Sequence, residues 1–228
     1  MFTGIVQGTA KIANIADREG LRTFTLQFPE GFCQDLAIGA SVSTDGVCLT
    51  VTEILDANQA TFDVMLQSLA ITTLGSYREG DRANVERAAK DGAEIGGHPL
   101  SGHVDFMAKV ESVRRPANNH VIRIAVPAPW MRYIFAKGYI AVNGASLTVA
   151  EAGRNADGSG WFEVWLIPET LRMTTFADKG EGAPLHIEIE RQTQVMVDTV
   201  RDAVAEKIGA LMPALRLFAQ ERGLDLDA

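Results

Sequence analysis

The chain has 228 residues, 46% of them hydrophobic and 22% charged, the composition of a globular protein long enough for two domains with cores of their own. A formal net charge of −8 with no block of Lys or Arg argues against a nucleic-acid surface, which must neutralise phosphates, and points to a small-molecule partner. No basic leader precedes an apolar run at Met1-Phe2-Thr3-Gly4, and no apolar stretch nears the ~20 residues of a membrane span, so a cytoplasmic protein without a membrane partner is expected.

In chain order, Thr23–Phe28, Val47–Ile54 and Ala60–Met65 are β-branched or aromatic runs with partial alternation, separated by Gly, Pro, Asp and Asn clusters. The pattern returns at Val121–Val126, Tyr139–Val142, Ser146–Ala150, Trp161–Ile167 and Leu185–Ile189. About six short strands in each half are too few for a large sandwich; a small closed Greek-key barrel removes their edges. Pro129–Ile134, with Pro in a first-turn position, is expected to form a short helix, and Gly31–Leu36 is its counterpart. After Gln194 the period changes. Val197, Val200, Val204, Ile208, Leu211, Leu215 and Phe218 recur every three or four residues, which predicts a C-terminal helix. Pro213 predicts a break near Met212 and a second helix ending near Gly223. The narrow stripe suits either an oligomerisation seam or a helix folded back on its own barrel.

The two halves are copies. Gly4, Val6, Ala10 and Lys11 recur as Gly102, Val104, Ala108 and Lys109, and Asp45–Val51 recurs as Asn143–Val149, all 98 residues apart. Phe62-Asp63-Val64 answers Phe162-Glu163-Val164, while Leu69, Thr72 and Thr73 answer Leu171, Thr174 and Thr175. A period near 100 residues is that of a domain, so each half should carry its own version of any pocket. The expected division is 1–97, 98–194 and a helical segment 195–228.

Three stretches carry candidate chemistry. Gly46 and Gly144 follow Asp45 and Asn143 as hairpin turns needing positive φ, and the strand beyond places Cys48 and Thr50 on one side, Leu49 and Val51 on the other. Thr50 and Thr148 can be simple strand formers, or a polar pair kept in both repeats for a rim. Gly96–Asp105 joins the halves with three glycines and two histidines; His103 suits proton transfer, the alternative being that His98 only fixes the loop by hydrogen bonds. A metal reading lacks a third ligand, Cys33 and Cys48 are expected to be free thiols, and no metal or cofactor is expected. Leu166–Leu171 reads as a strand leaving its barrel through Pro168 into a helical segment, with amides and the Glu169 carboxylate free at the edge; Leu66–Leu69 holds the matching place.

These motifs at their mutual spacing resemble the riboflavin synthase family, from Met1–Ile12 through Asn84–Lys90 and Glu94–Phe106 to Ile187–Gln194. The resemblance implies a mainly β fold, two tandem six-stranded Greek-key β-barrels plus a C-terminal α-helix, in a homotrimer. It implies one 6,7-dimethyl-8-ribityllumazine per barrel and transfer of a four-carbon unit between two of them, giving riboflavin and 5-amino-6-ribitylamino-uracil. By position it implies catalytic roles for Phe2, Ser41, Cys48 and His103 in the N-barrel pocket, and for Ser146 in the C-barrel pocket. Substrate contacts are implied for Gly4, Ile5 and Val6, and for Cys48, Leu49, Thr50, Asp63, Met65, Gln67 and Ser68. Further contacts are implied for Gly102, His103 and Val104, for Lys137, Ser146, Leu147 and Thr148, and for Leu166, Ile167, Pro168, Glu169 and Thr170. The chain has Gln67 and Ala70 where the family commonly has Glu and Arg, and Glu190 where Asp is frequent. A non-catalytic lumazine-binding relative and a ligand-free structural duplication are the alternatives.

Overall fold

The computed structural model describes residues 1–116, 119–209 and 211–222. It divides into two compact units, Met1–Glu190 and the helical stretch from Arg191 onward. In the first unit, β1 (Gly8–Arg18), β2 (Leu21–Gln27), β3 (Ser41–Thr44), β4 (Val47–Ile54), β5 (Gln59–Met65) and β6 (Arg82–Arg87) close into an antiparallel barrel in the order β1-β2-β5-β4-β3-β6. Alternation drives it. Along β4, Val47, Leu49 and Val51 are buried while Cys48 is half-buried and Thr50 exposed, so one face fills the barrel beside Phe24, Leu26 and Phe62 and the other faces out. Each such buried Leu or Phe contributes about 1.5–3 kcal/mol.

The second half repeats the circular order with one strand split. Its strands are β7 (Phe106–Arg114), β8 (His120–Val126), β9 (Tyr139–Val142), β10 (Ala145–Thr148), β11 (Glu151–Arg154), β12 (Gly160–Leu166) and β13 (Pro184–Glu188), in the order β10-β9-β13-β7-β8-β12-β11. This half is therefore a curled seven-stranded sheet rather than a closed six-stranded barrel. β10 and β11 together stand where β4 stands in the first half. There a bulge between Val51 and Glu53 shifts the register without ending the strand. Here the same place, Val149–Ala150, falls outside both ladders. The seam is still stitched, by Lys137 N–H to Val149 O at 2.7 Å, Val149 N–H to Gly138 O at 2.9 Å and Ala150 N–H to Glu163 O at 2.8 Å.

The helices expected inside the barrels are smaller than their sequences suggest. Pro129–Ile134 yields only a 3-10 turn at Met131–Tyr133. Gly31–Leu36 is a run of turns, so Cys33 sits in no helix; Asp35 at φ 56° is left-handed, which stops propagation. The strands leaving each barrel do pass into helices, α1 (Leu66–Ile71) and α2 (Pro168–Met173), the second with Pro168 in its first turn.

The barrels meet at their duplicated turns. Asp45 and Gly46 (φ 45° and 85°) and Asn143 and Gly144 (φ 44° and 77°) have positive φ throughout, as a two-residue hairpin turn requires. The turns pack back to back: a Cβ on Gly46 would lie 2.8 Å from the Gly144 amide nitrogen. A buried polar lattice flanks the contact. Asn84 Nδ2 donates to Asn143 O at 3.0 Å and its Oδ1 accepts from Thr175 N–H at 2.8 Å; in the mirrored position, His186 Nδ1 pairs with Asp45 O at 2.7 Å and Nε2 accepts from Thr73 N–H at 2.8 Å. Those partners fix the imidazole as neutral, with its proton on Nδ1, and burial pushes its pKa below the ordinary value.

In the helical unit, α3 (Arg191–Gly209) ends three residues before α4 (Met212–Arg222) begins. Pro213 is the second residue of α4, where its missing N–H costs nothing. Gly223, the expected end, lies outside the described residues. Val200, Val204, Ile208 and Leu215 are exposed along these helices, while Val197 is half-buried.

Candidate active site

In each barrel the chemistry-bearing strand is met by a segment from the opposite half. The N-terminal segment crosses to the second half, where Ser146 N–H donates to Gly4 O at 2.8 Å, and the segment at the start of half two crosses to the first, where Cys48 N–H donates to Gly102 O at 2.8 Å. Both approaches demand glycine. A Cβ on Gly4 (φ 75°) would stand 2.5 Å from the Ser146 Cβ, and one on Gly102 (φ 79°) 2.7 Å from the Cys48 Cβ.

Two buried carboxylates hold these crossings. Glu86 accepts from Thr3 N–H at 2.6 Å, Thr3 Oγ1 at 2.7 Å and Gly4 N–H at 3.0 Å; Glu188 accepts from Ser101 N–H at 2.6 Å, Ser101 Oγ at 2.8 Å and Gly102 N–H at 3.1 Å. Burial pushes both carboxyls above their ordinary range, against the opposing pull of these donors. Neither residue stands out in the sequence as a candidate, since nothing local pairs Glu86 with Thr3.

In the second half Gly4, Ile5 and Val6 form one wall of a cavity of about 290 Å³, with Ser146 and Leu147 opposite and Glu169, Thr170, Met173 and Thr174 closing it. Ser146 Oγ lies 2.6 Å from His98 Nδ1. His98 is buried, stacks on Tyr139 with centroids 5.5 Å apart, and has no partner for Nε2 among the described residues. Burial lowers its pKa, favouring the neutral ring that shares a proton with a hydroxyl. Sequence reasoning gives His98 a loop-bracing role and does not place it in the site. Only the fold brings it to a serine 48 positions away.

Of the other C-half candidates, Thr148 faces out at the end of β10, Ile167 is exposed, and Pro168 opens α2 beside Glu169. The Glu169 carboxylate is not free: it pairs with Arg172 at 2.5 Å and 2.9 Å, which lowers its pKa. Leu166 is buried at 1% exposure and points into the barrel rather than the cavity. Lys137 is exposed outside the cavity lining at φ 67°, the left-handed position Gly39 (φ 85°) takes in half one.

In the first half, Cys48 and Thr50 share the outer face of β4, and Ser41 is the cross-strand partner of Thr50. Gly102 brings exposed His103 and half-buried Val104 alongside Cys48. Asp63 accepts from Thr23 Oγ1 at 2.6 Å, Met65 is exposed, and Gln67 and Ser68 lie in α1; Leu49 is core. Phe2 is fully buried with Leu100 and Ala141, its ring under Gly102, so it forms a floor rather than an open wall. A larger cleft of about 550 Å³ beside Glu86 shares little with these residues, and Arg87 on its wall is committed to the carbonyls of Phe32, Gln34 and Asp35. Among the described residues no three His, Cys, Asp or Glu side chains gather as a metal site.

The family model of the lumazine binding domain matches the chain twice, over residues 3–88 and 101–190. Riboflavin synthase of Escherichia coli (strain K12) is 46% identical over 212 residues, covering 92% of this chain and 97% of that protein. The chain belongs to the riboflavin synthase family. Another member, riboflavin synthase of Mycobacterium tuberculosis (strain ATCC 25618 / H37Rv), is 38% identical over 205 residues, 89% of this chain and 100% of its own. LumP complexed with riboflavin shares the family's fold with a TM-score of 0.73 at 22% identity, over 84% of this chain and all of that one, and LumP complexed with 6,7-dimethyl-8-(1'-D-ribityl) lumazine has a TM-score of 0.71.

Proposed function

We propose that this protein is a riboflavin synthase that binds one 6,7-dimethyl-8-ribityllumazine at each barrel and transfers a four-carbon unit between them. The observation that carries the reading is the duplicated wall, Gly102 against Cys48 and Gly4 against Ser146, in a chain this similar to riboflavin synthases. Two such walls suit two copies of one flat heteroaromatic ligand, whose ring hydrogen-bonds in plane and packs on apolar faces. Substrate contacts then fall to the residues named above in both halves other than the core residues Leu49 and Leu166, with Lys137 and Thr148 reaching the second ligand from outside the cavity lining.

The reaction needs a proton removed from the C7 methyl of one lumazine, a nucleophile added at C7 of the other, and close orientation of both. Ser146 and His98 form a hydroxyl–imidazole pair able to hold and return a proton in the C-barrel pocket. In the N-barrel pocket Cys48, Ser41 and exposed His103 are the groups available to the ligand, above a floor made by Phe2. The reacting pockets belong to neighbouring subunits of a cytoplasmic homotrimer joined through α3; the uncovered apolar stripe of that helix supports an intersubunit seam.

A non-catalytic lumazine binder is the second reading, favoured by the LumP neighbours and by Gln67 and Ala70. Incubating purified protein with the lumazine separates the two: riboflavin absorbance rises for the enzyme, whereas ligand fluorescence changes without conversion for the binder.

A further inference from the structure

Each half begins with a strap that leaves its own barrel, residues 2–6 bent at Gly4 in one case and 100–104 bent at Gly102 in the other. The straps pair as they pass, Phe2 N–H to Leu100 O at 2.8 Å and Leu100 N–H to Phe2 O at 3.0 Å. Two residues further on, each delivers one carbonyl to the opposite barrel, Gly4 O to the Ser146 amide and Gly102 O to the Cys48 amide. At that point each strap is gripped by the last strand of the barrel it has left, through the three bonds to Glu86 on β6 and the three to Glu188 on β13. A carboxylate with three donors is a strong and directional anchor, and Gly4 and Gly102 already lie at closest approach on their far side. The carbonyl's place is thus set from both sides.

We propose that Glu86 is a positioning residue for the second barrel's pocket and Glu188 for the first barrel's, so that each half controls the wall of the other's site. The functional consequence rests on reading those sites as lumazine pockets; the crossed placement does not. It departs from a merely structural role in one respect: loss of an anchor should be felt in the other barrel, not in its own.

The test uses the full chain with Glu86→Gln and Glu188→Gln made separately. A glutamine keeps the size of the side chain but turns one acceptor oxygen into a donor facing an N–H. The first readout is amide hydrogen exchange. Glu86→Gln should speed exchange at Ser146 by about tenfold or more while Cys48 keeps its wild-type rate, and Glu188→Gln should do the reverse. The second is the lumazine concentration needed to protect the Cys48 thiol from iodoacetamide, which should rise about tenfold in Glu188→Gln and stay unchanged in Glu86→Gln. Should either variant fail to fold, Thr3→Ala and Ser101→Ala remove one donor of three and should give the same crossed pattern at smaller amplitude. Exchange that quickens in a variant's own barrel, equally at both amides, or at neither, overturns the proposal. Crossed exchange without lumazine protection of wild-type Cys48 leaves the positioning intact and overturns the ligand reading.

Discussion

The two cysteines separate site from scaffold at the scale of single residues. Cys48 is half-buried on the outer face of β4 against Gly102, whereas Cys33 is buried in the core cluster of the first barrel, where burial pushes its thiol pKa up. Cys48→Ser should lower kcat/KM for lumazine and leave the Tm near wild type. Cys33→Ser places a hydroxyl among apolar side chains and should cost about 1–3 kcal/mol of stability with kcat/KM retained. Thermal melts beside initial rates distinguish them; equal losses of rate at unchanged stability would remove Cys48 from the site. The side of β4 that carries Cys48 and Thr50 was legible in the sequence because alternation is a local property. The partner of Ser146 was not, nor was the burial of Phe2, because both depend on which residues the barrels bring together across the chain.

Turns and strands, the next scale up, carried the clearest signal, and their failures are informative. The Asp-Gly and Asn-Gly turns read correctly because positive φ restricts residue choice so sharply. The split of one strand into β10 and β11 could not be read, since Val149 and Ala150 suit a strand and the break lies in the ladder. The short helix expected over Gly31–Leu36 failed because apolar spacing does not register a left-handed Asp35. Gly46→Ala should destabilise by more than the roughly 1–2 kcal/mol of a left-handed residue, because its methyl meets Gly144 backbone, while Gly39→Ala, with open space around it, should cost only that strain. Denaturant titrations of the two variants give the comparison, and equal losses would contradict the back-to-back packing. The lattice beside these turns also predicts a pH effect. The folded state holds His186 neutral below its ordinary pKa of 6.5, so the unfolded chain takes up the proton first. Its contribution to stability is complete above about pH 6.5 and is lost as the pH falls below that, by at most about 1.4 kcal/mol per pH unit. Glu86, Glu188 and Asp45 run the other way: burial raises their pKa values, so their contribution is full only in acid and fades as the pH rises through the folded values. His186→Asn, which copies Asn84 in the mirrored position, should match wild type at pH 7.5 and exceed it at pH 5.5 in urea midpoint. Parallel curves would remove His186 from the acid response.

For the whole molecule, duplication was visible at once because one offset of 98 residues runs through half the chain, and the fold follows from it. How the copies clasp each other was not visible: the straps and their carboxylates use residues about 80 positions apart. The helical stripe, with Val200 57% and Val204 50% exposed, is the apolar face on which the proposed intersubunit seam rests. Truncation after Gln194 should therefore yield a monomer by sedimentation that still changes lumazine fluorescence and no longer makes riboflavin. Full activity from such a monomer would move the reaction within one chain. The central claim, that two equivalent pockets each supply a lumazine to one reaction, is tested most directly by counting molecules. Chromatography of a completed reaction should show two lumazines consumed for each riboflavin formed, with one 5-amino-6-ribitylamino-uracil appearing beside it. A one-to-one ratio, or riboflavin without that second product, would contradict it.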